Sequence, residues 1–182
     1  MRRAALAIVS AAGLWAQSPK YGVGRPPTED ELRTWAISIA PDGKGLPPGR
    51  GTAAEGKEQF ANRCSKCHGA NGEGKDSVAL AGGQGTLKGP KPLKTVGSYW
   101  PHATTVFDYV RRAMPFDRPG TLSDGQVYSL TAYVLYLNGL VKEGDVIDAQ
   151  SLPKVRMPNR DGFVADPRPD ALNHTKKVRI AR

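Results

Sequence analysis

The segment CSKCHG, residues 64–69, constrains this chain more than any other. It holds both cysteines of the chain, three positions apart, with a histidine directly after the second. A disulfide between such close neighbours closes almost no loop and restricts the unfolded chain little. Structural zinc takes four ligands, usually as two paired hooks. No second cysteine pair exists, and the other histidines, His102 and His174, are far apart. A thioredoxin-like redox pair sits in a βαβ pattern, and no run of strands flanks Cys64. The remaining chemistry is covalent haem. Each thiol adds to one vinyl group of the porphyrin, two intervening residues span the gap between vinyls, and the adjoining histidine lies beneath the iron. C-x-x-C-H is the attachment signature of c-type haem. Cys64, Cys67 and His68 are therefore the expected haem-binding residues, with His68 as proximal ligand.

A chain of 182 residues with 21 glycines and 15 prolines suits one small domain with irregular extensions. A buried porphyrin supplies apolar surface that so loop-rich a chain otherwise lacks. The first residues carry two arginines and then an apolar run, Ala4 to Trp15, too short to span a bilayer. The run reads as a secretory signal peptide over residues 1–16, with an uncleaved anchor as its rival reading. No later segment approaches spanning length. Export agrees with covalent haem, which is attached outside the bacterial cytoplasm, so a periplasmic location is expected.

Net charge is +9, with eight basic and three acidic side chains over residues 150–182. This serves solubility, or steers the chain toward an acidic partner. Nucleic acid is excluded as a partner by the export signal and by the lack of a basic helix with interleaved aromatics.

Four helices are expected. Thr28 and Glu31 form a capping box ahead of a helix with Leu32, Trp35, Ala36 and Ile39 on one stripe, stopped by Pro41. Thr52 and Glu55 repeat the pattern; the helix from Ala53 puts Ala53, Gly56, Phe60 and Cys64 on one face. A long Gly/Lys/Pro loop, 69–101, is expected to wrap the haem edge. The third helix spans Thr104 to Ala113, with Val106, Tyr109, Val110 and Ala113 as its stripe. The fourth starts at Ser123, with Gln126 as box partner, and ends at Asn138-Gly139. Beyond it lies an extended, proline-containing tail.

The sixth iron ligand is sought among methionines and histidines. Met114 is favoured, because Pro115 after it forces a turn that presents the sulfur away from the helix. His102 is the rival, and Met157 or an open site are the remaining options. A His/Met pair stabilises Fe(II) and suits electron transfer, whereas an open site suits ligand chemistry. Arg111, Tyr99 and Trp100 are candidate contacts to the haem, the guanidinium matching a propionate; solvated charge and core packing are their plainer roles. Lys88, Lys91 and Lys94 read as a solvated face, with partner docking as the lesser reading.

With these residues in place, the chain resembles a class I c-type cytochrome over roughly residues 52–141. Gly56 and Phe60, with LTAYV at 130–134, match the crossing of that family's terminal helices, where Tyr133 packs on Phe60. The stretch TVGSYWPHATTVFDYVRRAMPFDRPGTLSDGQVYSLTAYVLYLNGLV is similar to monohaem cytochrome subunits of molybdenum sulfite dehydrogenases, and to the cytochrome partner of the Sox sulfane dehydrogenase. YGVGRPPTEDELRTWAISIAPDGKGLPPGRG and LPKVRMPNRDGF resemble their flanks. The resemblance implies an all-α cytochrome c fold around one haem c. It also implies His68 and Met114 as axial ligands, and a molybdopterin-containing dehydrogenase partner or a downstream acceptor, with no catalytic residues in this chain. A free periplasmic shuttle and a haem enzyme or sensor are the alternatives. In the family a prolyl carbonyl accepts the proximal histidine's hydrogen bond; here Val78 or Pro90 stands for it. The expected organisation is a signal peptide (1–16), an N-terminal extension with one short helix (17–51), the haem domain (52–141) and a tail (142–182).

Overall fold

Three of the five helices among the described residues begin at a closed capping box. In the computed structural model, which describes residues 21–168, Thr28, Thr52 and Ser123 each accept from the backbone N–H three residues on. Glu31, Glu55 and Gln126 accept from the cap N–H in return. Each box satisfies two otherwise orphaned donors, and a cap is worth about 1 kcal/mol. The helices are α1 (Glu29–Trp35), α2 (Ala53–Arg63), a single turn α3 (Ser65–His68), α4 (Ala103–Ala113) and α5 (Asp124–Leu137). The expected leader over 1–16 lies outside the described residues, as does the end of the tail. No helix among the described residues is long and apolar enough to cross a membrane.

The chain divides into two units, Met1–Ala36 and Ile37–Arg182. In the first, α1 ends at Ala36, whose backbone has left the helical region at ψ 54°. The expected continuation to Pro41 does not form. Residues 40–44 instead close a tight turn, Gly43 N–H to Ala40 O and Ala40 N–H to Lys44 O. The expected stripe is thereby split: Ile39 packs on the core of the second unit, while Leu32 and Trp35 are exposed.

The second unit is built on α5, which is buried along most of its length from Val127 to Leu135. Helix α2 crosses it at Gly56, where a Cβ would run into the carbonyl of Ser129. This close approach brings the Phe60 ring 5.2 Å from that of Tyr133. Phe107 of α4 meets Tyr128 at 4.4 Å between ring centroids. The expected α4 stripe is displaced by part of a turn: Ala103, Thr104, Val106, Phe107 and Asp108 are buried, while Tyr109 is half-exposed.

The stretch after α5 is extended but anchored. Ile147–Asp148 (β2) pairs antiparallel with Arg50–Gly51 (β1). A 3₁₀ turn follows at Leu152–Lys154. Ile147, Leu152 and Met157 are all buried in the main core.

Candidate haem site

The cysteine pair sits where α2 gives way to a single further turn. Cys64 caps α2 through its N–H to Phe60 O, and its own carbonyl accepts from Cys67 and His68 at 3.1 and 3.0 Å. The two thiols and the imidazole therefore share one turn of chain. Neither cysteine is in a disulfide. Burial pushes the Cys64 thiol up to about 11, with Cys67 adding to the shift and Arg63 opposing it. A thiol held protonated is a poor metal ligand or redox nucleophile. Among the described residues no three His, Cys, Asp or Glu side chains are grouped to hold a metal ion. Zinc therefore finds no donor set among the described residues, whereas two unpaired thiols and one histidine are the donor set of covalent haem.

The chain then folds back over the histidine. Ser77 N–H bonds to Cys67 O at 2.9 Å and Gly74 N–H to His68 O at 2.7 Å; Leu80 N–H reaches Gly72 O at 2.7 Å. Gly69, at φ 83°, permits the reversal, and a Cβ there would strike the Glu73 carboxylate. The outcome is that the carbonyl oxygen of Val78 lies 2.8 Å from His68 Nδ1. An Nδ1–H donated to this carbonyl leaves Nε2 as the lone-pair nitrogen, the tautomer a metal ligand needs. Val78, and not Pro90, is the acceptor.

Of the sixth-ligand candidates, Met114 is half-buried and leaves α4 in an extended conformation, φ −121° and ψ 150°. His102 is the N-cap at the opposite end of α4, about 18 Å away along the helix axis, so the two cannot share one iron face. Its Nδ1 is buried without a hydrogen-bond partner. Met157 is 1% exposed and serves as core packing. The three expected peripheral contacts each have partners within the protein. Arg111 Nε bonds Asp124 Oδ1 at 3.1 Å. Tyr99 meets Phe163 edge-on at 5.2 Å, lies 5.0 Å beneath Lys94 Nζ, and takes a bond from Asn159 to its carbonyl. Trp100 stands edge-on to Tyr109 at 5.8 Å. Half-buried Leu80, Trp100, Val110, Leu122 and Leu137 pack against the core.

One residue passed unnoticed in the sequence beyond its role as a helix stop. Asn138, at the end of α5, is buried and donates to Leu80 O at 3.0 Å. It also accepts from Gly82 N–H at 3.1 Å. It ties the segment that follows Val78 to the most buried helix. Only a buried asparagine just past a helix end hinted at this.

Comparison with known proteins agrees with covalent haem as the cofactor. The family model described as cytochrome c matches residues 53–138. A chain of the sulfane dehydrogenase SoxCD from Paracoccus pantotrophus superposes with a TM-score of 0.76 at 47% identity, covering 82% of this chain and 74% of that one. A thiosulfate dehydrogenase from Psychrobacter arcticus is 31% identical over 87 residues, 48% of this chain and 26% of the relative. One from Stutzerimonas stutzeri is 28% identical over 132 residues, 61% of this chain and 41% of the relative. The chain thus spans well under half the length of both curated relatives.

Proposed function

Since this chain belongs to the cytochrome c family and carries covalently bound haem c, we propose that it is the electron-accepting subunit of a dehydrogenase that oxidises a sulfur compound. The observation that carries this reading is extent. The match to the SoxCD chain covers 82% of the molecule, whereas the family model stops at residues 53–138. What is shared therefore reaches beyond the haem domain, into sequence a freely diffusing carrier does not need. The finer identity is a molybdopterin-containing catalytic partner in the periplasm, supported by the flanking sequences and by the leader-like first sixteen residues.

The residue roles follow from chemistry. Cys64 and Cys67 form the two thioether links, which prevent cofactor loss. His68 ligates through Nε2, with its ring fixed and its basicity raised by the Val78 carbonyl. Met114 would hold the metal as a second ligand through a neutral thioether, which favours the reduced metal and raises the potential. Held by His68 and Met114, the haem would supply a one-electron couple and leave no position on the metal for a substrate. The chain's part is to orient the ring, exclude water and hold the geometry constant between oxidation states.

Purifying the tagged full chain from its source cells tests this. The expected result is a stoichiometric molybdenum-containing polypeptide, and haem reduction by sulfite or a related sulfur compound in the complex alone. A haem-loaded protein that elutes alone, and is reduced only by added donor proteins, would establish the free shuttle instead. Ready carbon monoxide binding by the folded ferrous protein would establish an open site and favour an enzyme.

A further inference from the structure

The segment that carries Met114 is secured at its ends. Residues 115–122 run between the last turn of α4 and the Ser123 cap of α5, and exposed Phe116, Asp117, Arg118, Pro119, Gly120 and Thr121 form its tip. Its polar contacts are internal: Arg118 N–H to Pro115 O at 2.9 Å, Thr121 Oγ1 to Arg118 O at 2.8 Å and the Arg118–Asp117 ion pair. Buried Pro115 and half-buried Leu122, one next to each foot, supply the apolar contact. One ion pair joins the two feet directly. Arg111, in the last turn of α4, reaches Asp124, in the first turn of α5, at 3.1 Å.

We propose that Arg111 and Asp124 are a positioning pair for the Met114 sulfur, bracketing the loop so that the thioether stays on the iron. The inference rests on the reading of Met114 as sixth ligand. Three features favour the pair. It is sheltered, with side chains 28% and 36% exposed, so screening is weaker than for a pair at the loop tip such as Arg118–Asp117, at 71% and 76%. Each charge also suits its own helix end, cation at the C-terminus of α4 and anion at the N-terminus of α5. The neighbouring Arg112 is spent within α4 on Asp108, one turn back, so it cannot substitute. A neutral thioether has no charge of its own to hold it near the metal, so its residence depends on how firmly the loop presents it.

The test uses the haem-loaded full chain. Cyanide binds ferric iron only after the sulfur has left, so its binding rate reports how often Met114 lets go. Arg111→Gln and Asp124→Asn should each raise that rate about fivefold to tenfold and weaken the methionine-sulfur charge-transfer band on mild heating; the double variant should be no faster than the singles, as a coupled pair requires. Arg111→Lys should recover part of the loss, and Arg118→Gln should stay within about twofold of wild type, as expected of an exposed pair. Circular dichroism establishes that each variant is folded. Wild-type cyanide rates in both folded single variants overturn the positioning role while leaving the ligand assignment intact. Retention of the sulfur band by Met114→Ala overturns the ligand assignment and this inference with it.

Discussion

The Nδ1 atom of His68 lies 2.8 Å from the carbonyl oxygen of Val78, ten residues further along the chain. Nothing about the valine side chain brings this about. It is 71% exposed, and the contact belongs to the backbone, placed by the turn hydrogen bonds of residues 72–77 and by the Asn138 tie just beyond. An imidazole oriented this way is held in one tautomer.

Because the contact is main-chain, Val78→Ala should leave the visible spectrum of both oxidation states unchanged. Unfolding free energy should move by no more than about 0.5 kcal/mol, the usual range for an exposed site. Urea titration with absorbance detection measures both. A shifted spectrum would mean that the side chain, and not the carbonyl, governs the imidazole.

Gly56→Ala should be severely destabilising. The added methyl would collide with the Ser129 carbonyl and crowd the Tyr133 Cβ. Neither can yield, since one is helix backbone and the other sits at the Phe60 ring contact. Overpacking of this kind costs about 1–3 kcal/mol or more. Thermal unfolding of the haem-loaded protein reads it, and a melting temperature equal to wild type would show that the α2–α5 crossing has slack.

Features set by local chemistry were legible in the sequence. The capping boxes at Thr28, Thr52 and Ser123 need only residues three apart, and the cysteine–histidine turn is contiguous. The Gly56/Phe60/Tyr133 crossing was legible through a family resemblance. What escaped depends on distant contacts. The α1 stripe was carried on to Ile39, because spacing alone cannot reveal that the 40–44 turn and core packing claim that residue. Arg111 reads as a solvated charge or a candidate propionate contact; its pairing with Asp124, thirteen positions away, obeys no period. The acceptor for His68 stays open between Val78 and Pro90 in the sequence because every residue owns a carbonyl.

The segment after α5 gives no periodic signal either, as its buried members Ile147, Leu152 and Met157 are five apart. Met157→Ala should nonetheless cost about 2–5 kcal/mol, the range for a buried methionine truncated to alanine, and a chain ending at Glu143 should lose its cooperative thermal transition. Calorimetry of the haem-loaded forms checks both. A truncated chain that melts like the full one would show that the haem domain is complete without this segment.

Tyr128 makes stability depend on alkaline pH in a definite direction. It is fully buried, its hydroxyl donates to Pro47 O at 2.9 Å, and its pKa is pushed up to about 12, chiefly by burial and further by Asp124 and Asp148, with Arg111 opposing. In the unfolded chain the phenol ionises near its ordinary value, about 10. Between those values the folded state holds a proton that the unfolded state has released. The group's contribution is therefore complete below pH about 10 and is lost as pH rises toward 12. Tyr128→Phe leaves the Pro47 carbonyl without its donor and should cost about 1–3 kcal/mol at pH 8. That deficit should shrink steadily above pH 10, because only the wild type is still losing this term. Urea unfolding of both proteins from pH 8 to 12 at constant ionic strength measures the difference. A deficit that stays constant across this range would mean that the hydroxyl ionises no later in the folded protein than in the unfolded chain.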